Sequence, residues 1–168
     1  VTAPSGDAAS ASVFVRVSQG DAFDVFTREI DRWWRHGSKF RIAGKRRGQL
    51  FFECAPDGRV FETFELTTGS KTIEVGKVLE WDPPLRFLLE WRATNFKPHE
   101  KTFVEVTFTP SAGGTLVTVR HYGWSALPVD HPARHGLVGP AFSRWIGMWW
   151  GDLMSSLREH VARNGDEG

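Results

Sequence analysis

Residues 76–91 read Gly-Lys-Val-Leu-Glu-Trp-Asp-Pro-Pro-Leu-Arg-Phe-Leu-Leu-Glu-Trp. Two apolar-rich runs flank Asp82-Pro83-Pro84, and consecutive prolines restrict the backbone at the junction, so the segment reads as strand, rigid turn, strand. In the second run Phe87, Leu89 and Trp91 share one face while Glu90 and Arg92 oppose it, because side chains alternate along a strand.

The same period extends to both sides. Residues 48–54, 58–67, 71–81, 85–92, 102–110 and 114–122 alternate or run apolar between turn signals such as Pro56-Asp57-Gly58, Thr68-Gly69-Ser70 and Gly113-Gly114. Six hairpin-linked antiparallel strands are predicted there, with 93–101 a polar connection and 124–138 a loop too interrupted for regular structure. Before them, Val13, Val15 and Val17 predict a short strand. Ser18 then caps a helix at Asp21 that carries Ala22, Phe23, Phe26 and Ile30 and closes at Trp33 and Trp34. After them, Pro140, Phe142, Ile146, Trp149, Leu153, Leu157 and Val161 recur at helical spacing, predicting one long helix to about residue 163. The layout is α+β: a curved antiparallel sheet of about seven strands gripping a C-terminal helix. Residues 1–12, small and polar, are expected to be a flexible leader, 13–163 a single domain and 164–168 a tail.

The chain has 168 residues, with 21 Lys and Arg against 20 Asp and Glu. That near-balance argues against a strongly basic nucleic-acid binder and an acidic disordered tail. No window approaches the roughly 18 unbroken apolar residues of a membrane span, and no signal-peptide pattern opens the chain, so membrane insertion is not expected and a cytoplasmic setting is. The single cysteine, Cys54, alternates with Leu50 and Phe52 and reads as a buried structural thiol.

Three runs carry a resemblance: 22–34 (AFDVFTREIDRWW), the Gly-x-Val-x-x-Trp-x-Pro-Pro block within 76–91, and 149–157 (WWGDLMSSL). They resemble the SRPBCC (START-like, helix-grip) superfamily, and within it the branch related to the C-terminal domain of the activator of heat-shock protein 90 ATPase. The resemblance implies a helix-grip fold over roughly residues 13–163 and a hydrophobic cavity between sheet and helix. Members of this superfamily bind hydrophobic molecules, catalyse cyclisation or assist a chaperone. The hairpin from Arg59 to Val75 reads as longer than the pattern, which bears on the cavity mouth.

In such a fold the walls come from the inward alternates of each strand and the inner stripe of the helix. The candidate lining is therefore Phe87, Leu89 and Trp91 on one strand and Val117, Val119 and His121 on the last. Trp33 and Trp34 join it from the first helical segment, and Ile146, Trp149, Trp150 and Leu153 from the long helix. His121 could orient a ligand or act as a base; the plainer alternative is a histidine satisfied within the fold. The tryptophans either line the cavity or fill it. Glu53, Glu62, Glu74, Glu80, Glu90 and Glu105 fall on strands, mostly on the solvent face, and a Glu–Arg pair turned inward would clamp a carboxylate or phenol. Lys39, Arg41, Lys45, Arg46 and Arg47 form a basic loop suited to solvent or an acidic protein partner. Asp130, His131 and His135 have ligand-like spacing, but Pro132 keeps the two histidines off one helical face; no metal and no cofactor are expected.

The expected function is binding of a small hydrophobic, aromatic ligand in the sheet–helix cavity. Alternatives are a protein-interaction module resembling a chaperone ATPase activator, and a polyketide-cyclase-like enzyme. Catalysis is the less favoured of the three, since no catalytic motif is present.

Overall fold

The computed structural model describes residues 7–93 and 95–166. Strand β1 (Ala9–Val15) is followed by helices α1 (Gln19–Arg28) and α2 (Ile30–Trp33). Six strands come next: β2 (Gly48–Phe52), β3 (Arg59–Leu66), β4 (Gly69–Asp82), β5 (Arg86–Trp91), β6 (Thr102–Ser111) and β7 (Gly114–Tyr122). Helix α3 (Gly139–Asp166) ends the fold. The strands form one antiparallel sheet in the order β1-β7-β6-β5-β4-β3-β2, so the first strand adds beside the last and the other six follow as a meander.

Local chemistry accounts for these elements. The Ser18 side chain accepts the Asp21 amide at 3.2 Å and starts α1, as its position predicts. Alternation puts Val60, Val78, Phe87, Val106, Val117 and Val119 on the concave face, all buried. Helix α3 has 28 residues, about 42 Å at 1.5 Å per residue, and lays Phe142, Ile146, Trp150, Leu153 and Leu157 on that face.

Four expectations change. Strand β1 begins at Ala9 and not at Val13: Ala9 pairs with His121 and Ala11 with Val119. The small side chains that suggested a flexible leader are there because α3 packs on β1, and a Cβ on Gly147 would stand 3.9 Å from the Ala9 Cβ. The remainder of the expected leader, residues 1–6, lies outside the described residues, as do 167–168 of the expected tail, whereas 164–166 continue α3. Cys54 sits past the end of β2, half-buried, with its thiol directed at the Phe52 carbonyl at 3.4 Å. The segment 124–138 contains two short 3₁₀ turns, Trp124–Ala126 and Pro132–Arg134.

Candidate functional site

The loop between α2 and β2 closes one end of the space between sheet and α3, and three polar anchors hold it. Arg41 is buried: its guanidinium donates to the Asp31 carboxylate at 2.6 Å and to the carbonyls of Asp31, Trp34 and Arg35 at 2.9, 2.8 and 3.2 Å. Glu62 is the strand carboxylate that turns inward. Its two oxygens accept the amides of Ile42 at 2.8 Å and Ala43 at 3.1 Å. The indoles supply the third anchor, with Trp34 donating to the Phe40 carbonyl at 3.0 Å and Trp149 to the Lys39 carbonyl at 2.8 Å. Each buried polar group thus finds a backbone or charged partner, which is the condition for burying it at all.

Between this loop, the β4–β5 ladder and α3 lies a groove of about 340 Å³, within the range of about 300–1,000 Å³ usual for small-molecule sites. Its walls are aromatic: Trp34, Trp91 and Trp149, with Phe40 stacked on Trp149 at a centroid distance of 5.5 Å. Trp34 and Trp91 lie 5.9 Å apart at an interplanar angle of 34°. Gly76 is the register partner of Trp91, and a Cβ there would come within 3.4 Å of the Trp91 ring and 3.2 Å of the Glu90 carbonyl. The glycine of the Gly-x-Val-x-x-Trp block therefore clears space for that ring.

Of the twelve predicted lining residues, the groove brings together Trp34, Trp91 and Trp149. The others belong to the core. Phe87, Leu89, Val117 and Val119 face inward as predicted and are buried under α1 and α3. Ile146 and Leu153 pack on them from α3, and Trp33 and Trp150 fill space, each about 1% exposed.

His121 lies in the core, satisfied within the fold and away from the groove lining. The Trp150 indole donates to Nδ1 at 3.1 Å, and Nε2 is 2.7 Å from the Thr102 hydroxyl. An indole N–H only donates, so Nδ1 carries no proton; Nε2–H then donates to Thr102, whose hydroxyl donates onward to the Trp91 carbonyl at 3.2 Å. Burial pushes the imidazole down to about 3, far below its ordinary value. The ring is neutral at pH 7, both nitrogens are engaged, and the chain of hydrogen bonds ends at the backbone of the groove wall.

The other polar clusters also serve the fold. His131 accepts the Ala133 amide on Nδ1 at 3.1 Å and presents Nε2 to Glu100 at 3.0 Å. The Glu100 carboxyl is held below the usual carboxylate range, first by the Lys97 amide and then by His131. His135 lies against Trp145 at 4.5 Å. Among the described residues, no three His, Cys, Asp or Glu side chains are placed to hold a metal ion. The basic loop loses Arg41 to the interior, while Lys45, Arg46 and Arg47 remain exposed.

Phe40 and Ile42 line the groove without having been candidates for the pocket, while Glu62 and Arg92, weighed only as parts of an inward Glu–Arg clamp, line it as well. Glu62 carried a readable signal, since Val60 and Phe64 two residues to either side face inward.

A curled seven-stranded antiparallel sheet with a long C-terminal helix across its concave face, and a hollow at one end of that interface, defines a helix-grip protein. The chain belongs to the family described as activator of Hsp90 ATPase homolog 1-like protein, whose model matches residues 16–158. Similar solved structures include the protein MLL2253 from Mesorhizobium loti, with TM-score 0.62, 16% identity and coverage of 93% of this chain and 97% of that one. An HSP90 activator from Plasmodium falciparum aligns with TM-score 0.60, 16% identity and coverage of 93% and 96%. A protein of the dynemicin biosynthetic locus gives TM-score 0.60 and 16% identity, with coverage of 93% of this chain and 47% of that one. At these identities the likeness shows the fold. No curated protein matches the chain significantly in sequence. Among the described residues, no helix is long and apolar enough to cross a membrane.

Proposed function

We propose that this protein binds a small, flat, hydrophobic molecule in the groove between Trp34, Trp91 and Trp149. The observation that carries the reading is the groove itself: about 340 Å³ left open beside a tightly filled core, with indole faces for walls and the loop that frames it pinned by buried polar anchors. Flat aromatic ligands suit such walls, because offset and edge-to-face ring contacts add to burial of apolar area. A cytoplasmic setting accompanies this reading.

Isothermal titration with 2-naphthol tests it. Saturable binding is expected for the intact protein, weakened at least about tenfold by Trp91→Ala, as loss of one buried aromatic contact predicts. Trp145→Ala, away from the groove, keeps the affinity. Absence of saturable binding, or equal loss in both variants, removes the reading.

A second reading, assistance to a chaperone ATPase, draws support from the family description, from the similar HSP90 activator and from the exposed cations Lys45, Arg46 and Arg47. Charge reversal at Arg46 and Arg47 should then abolish stimulation of the ATPase, and Trp91→Ala should leave it unchanged. A cyclase-like role would need a titratable group free to act on the groove. Glu62 is the carboxylate lining it, and both of its oxygens already accept loop amides.

A further inference from the structure

The charged side chains around the groove are not equivalent. Lys39, Arg41, Arg92 and Glu62 all line it. Arg41 is spent on Asp31 and three carbonyls, and Glu62 on two amides. Lys39 lies 3.6 Å from Asp152, which offsets its charge at the rim. Arg92 differs from all three. Its Nη2 donates to the Lys97 carbonyl at 2.8 Å, and among the described residues no carboxylate lies within ion-pair distance of its guanidinium. Glu74 and Glu90 line the hollow of about 300 Å³ on its other side. Glu90, however, is held by Lys101 at 3.2 Å.

Arg92 follows directly on Trp91, is only partly exposed and lines both the groove and the neighbouring hollow, so a guanidinium with no ion pair among the described residues borders the indole-walled slot. Its backbone amide donates to the Val75 carbonyl at 2.8 Å, and Val75 is itself part of the groove wall. The side chain therefore starts from a fixed point of the sheet, and the bond to Lys97 fixes its far end. A planar guanidinium with free N–H groups matches a carboxylate edge to edge, a geometry a lysine ammonium cannot reproduce. Aromatic walls alone would also suit an organic cation. The wall argues against that occupant: its one carboxylate, Glu62, has both oxygens on loop amides, and Arg92 borders it with no carboxylate partner among the described residues.

Resting on the reading of the groove as a small-molecule site, we propose that its ligand is an aryl carboxylate, with the ring system between Trp34, Trp91 and Trp149 and the carboxylate on Arg92.

The test compares three probes of one ring size by isothermal titration: 2-naphthoate, the neutral 2-naphthalenemethanol and the cationic (2-naphthylmethyl)trimethylammonium. Naphthoate is expected to bind about tenfold more tightly than the neutral probe, the size of effect a charge-assisted hydrogen bond gives. The gap should close in Arg92→Gln, stay partly open in Arg92→Lys, and narrow as salt is raised, with the affinity for the neutral probe unchanged throughout. Equal binding of naphthoate and the neutral probe by the intact protein, or a gap that survives in Arg92→Gln, overturns the carboxylate assignment and leaves the groove as a neutral aromatic site. Preference for the ammonium probe overturns it in favour of a cation cage. Binding of none of the three removes the groove reading together with the assignment.

Discussion

Two aromatic clusters lie under the same sheet and are held in different ways. At the α1 end, Phe23, Phe26, Phe87 and Phe108 meet mostly edge to face, with centroids 5.0 to 6.1 Å apart. They have no polar handle, so packing alone places them, and each is about 2% exposed or less. At the loop end, Trp34, Trp149 and Trp150 are each located by an indole N–H bound to Phe40, Lys39 or His121. A ring fixed by a hydrogen bond need not be fixed by contacts on both faces. The phenylalanine cluster is consequently closed, whereas Trp34 and Trp149 border the groove and Trp150 fills the core beside it.

The sharpest way to break this contrast is truncation in the closed cluster. Phe87→Ala should cost about 3–5 kcal/mol of stability by chemical denaturation, since a fully buried ring leaves a cavity its neighbours cannot fill. A loss below about 1 kcal/mol would mean that this cluster is as open as the other.

At the loop end the comparable lesion is polar. Arg41→Met should cost about 2 kcal/mol, less than for a fully buried pair because Asp31 keeps access to solvent, and it should weaken 2-naphthol binding by releasing the loop. Unchanged affinity would show that the loop does not shape the groove.

His121 sharpens the comparison through pH. Its folded-state value of about 3 lies below the ordinary histidine value of 6.5, so between them the unfolded chain binds a proton that the folded one refuses. Stability from this group is present above about pH 6.5 and falls as pH drops toward 3, at up to about 1.4 kcal/mol per pH unit. Glu100, held low, adds acid sensitivity of the same sign as pH falls below its ordinary value of 4.5. His121→Gln should flatten the pH 4–6 portion of the stability profile, and an unchanged slope there would mean the imidazole reaches water.

The smallest effect is expected at Gly76→Ala. It should change stability by less than about 1 kcal/mol yet shift ligand affinity several-fold by displacing the Trp91 ring. Equal affinities for the two proteins would show that the ring is not confined.

Most of the fold was legible because periodicity is local. The alternation in residues 58–67 or 114–122 needs only neighbours two positions away, and those runs became β3 and β7. Strand β1 was misread at its start because Ala9 and Ala11 are small for the sake of a helix more than a hundred residues later. The candidate site was legible as a face and illegible as a hollow. Alternation put His121 inward correctly, but its partners Thr102 and Trp150 stand 19 and 29 residues away. Likewise, alternation could turn Glu62 inward but could not show that the amides of Ile42 and Ala43 would meet it or that Asp31 would pair with Arg41, so the loop read as a solvated basic patch.

The Asp31 carboxylate that meets Arg41 also accepts the outward-pointing amide of Leu50 at 2.8 Å. Strand β2 ends the sheet on that side, and a bare terminal strand is a template on which another molecule can lengthen the sheet. By occupying one donor of that rim and fastening the loop beside it, Asp31 makes the same contact that frames the groove into a guard against intermolecular strand pairing.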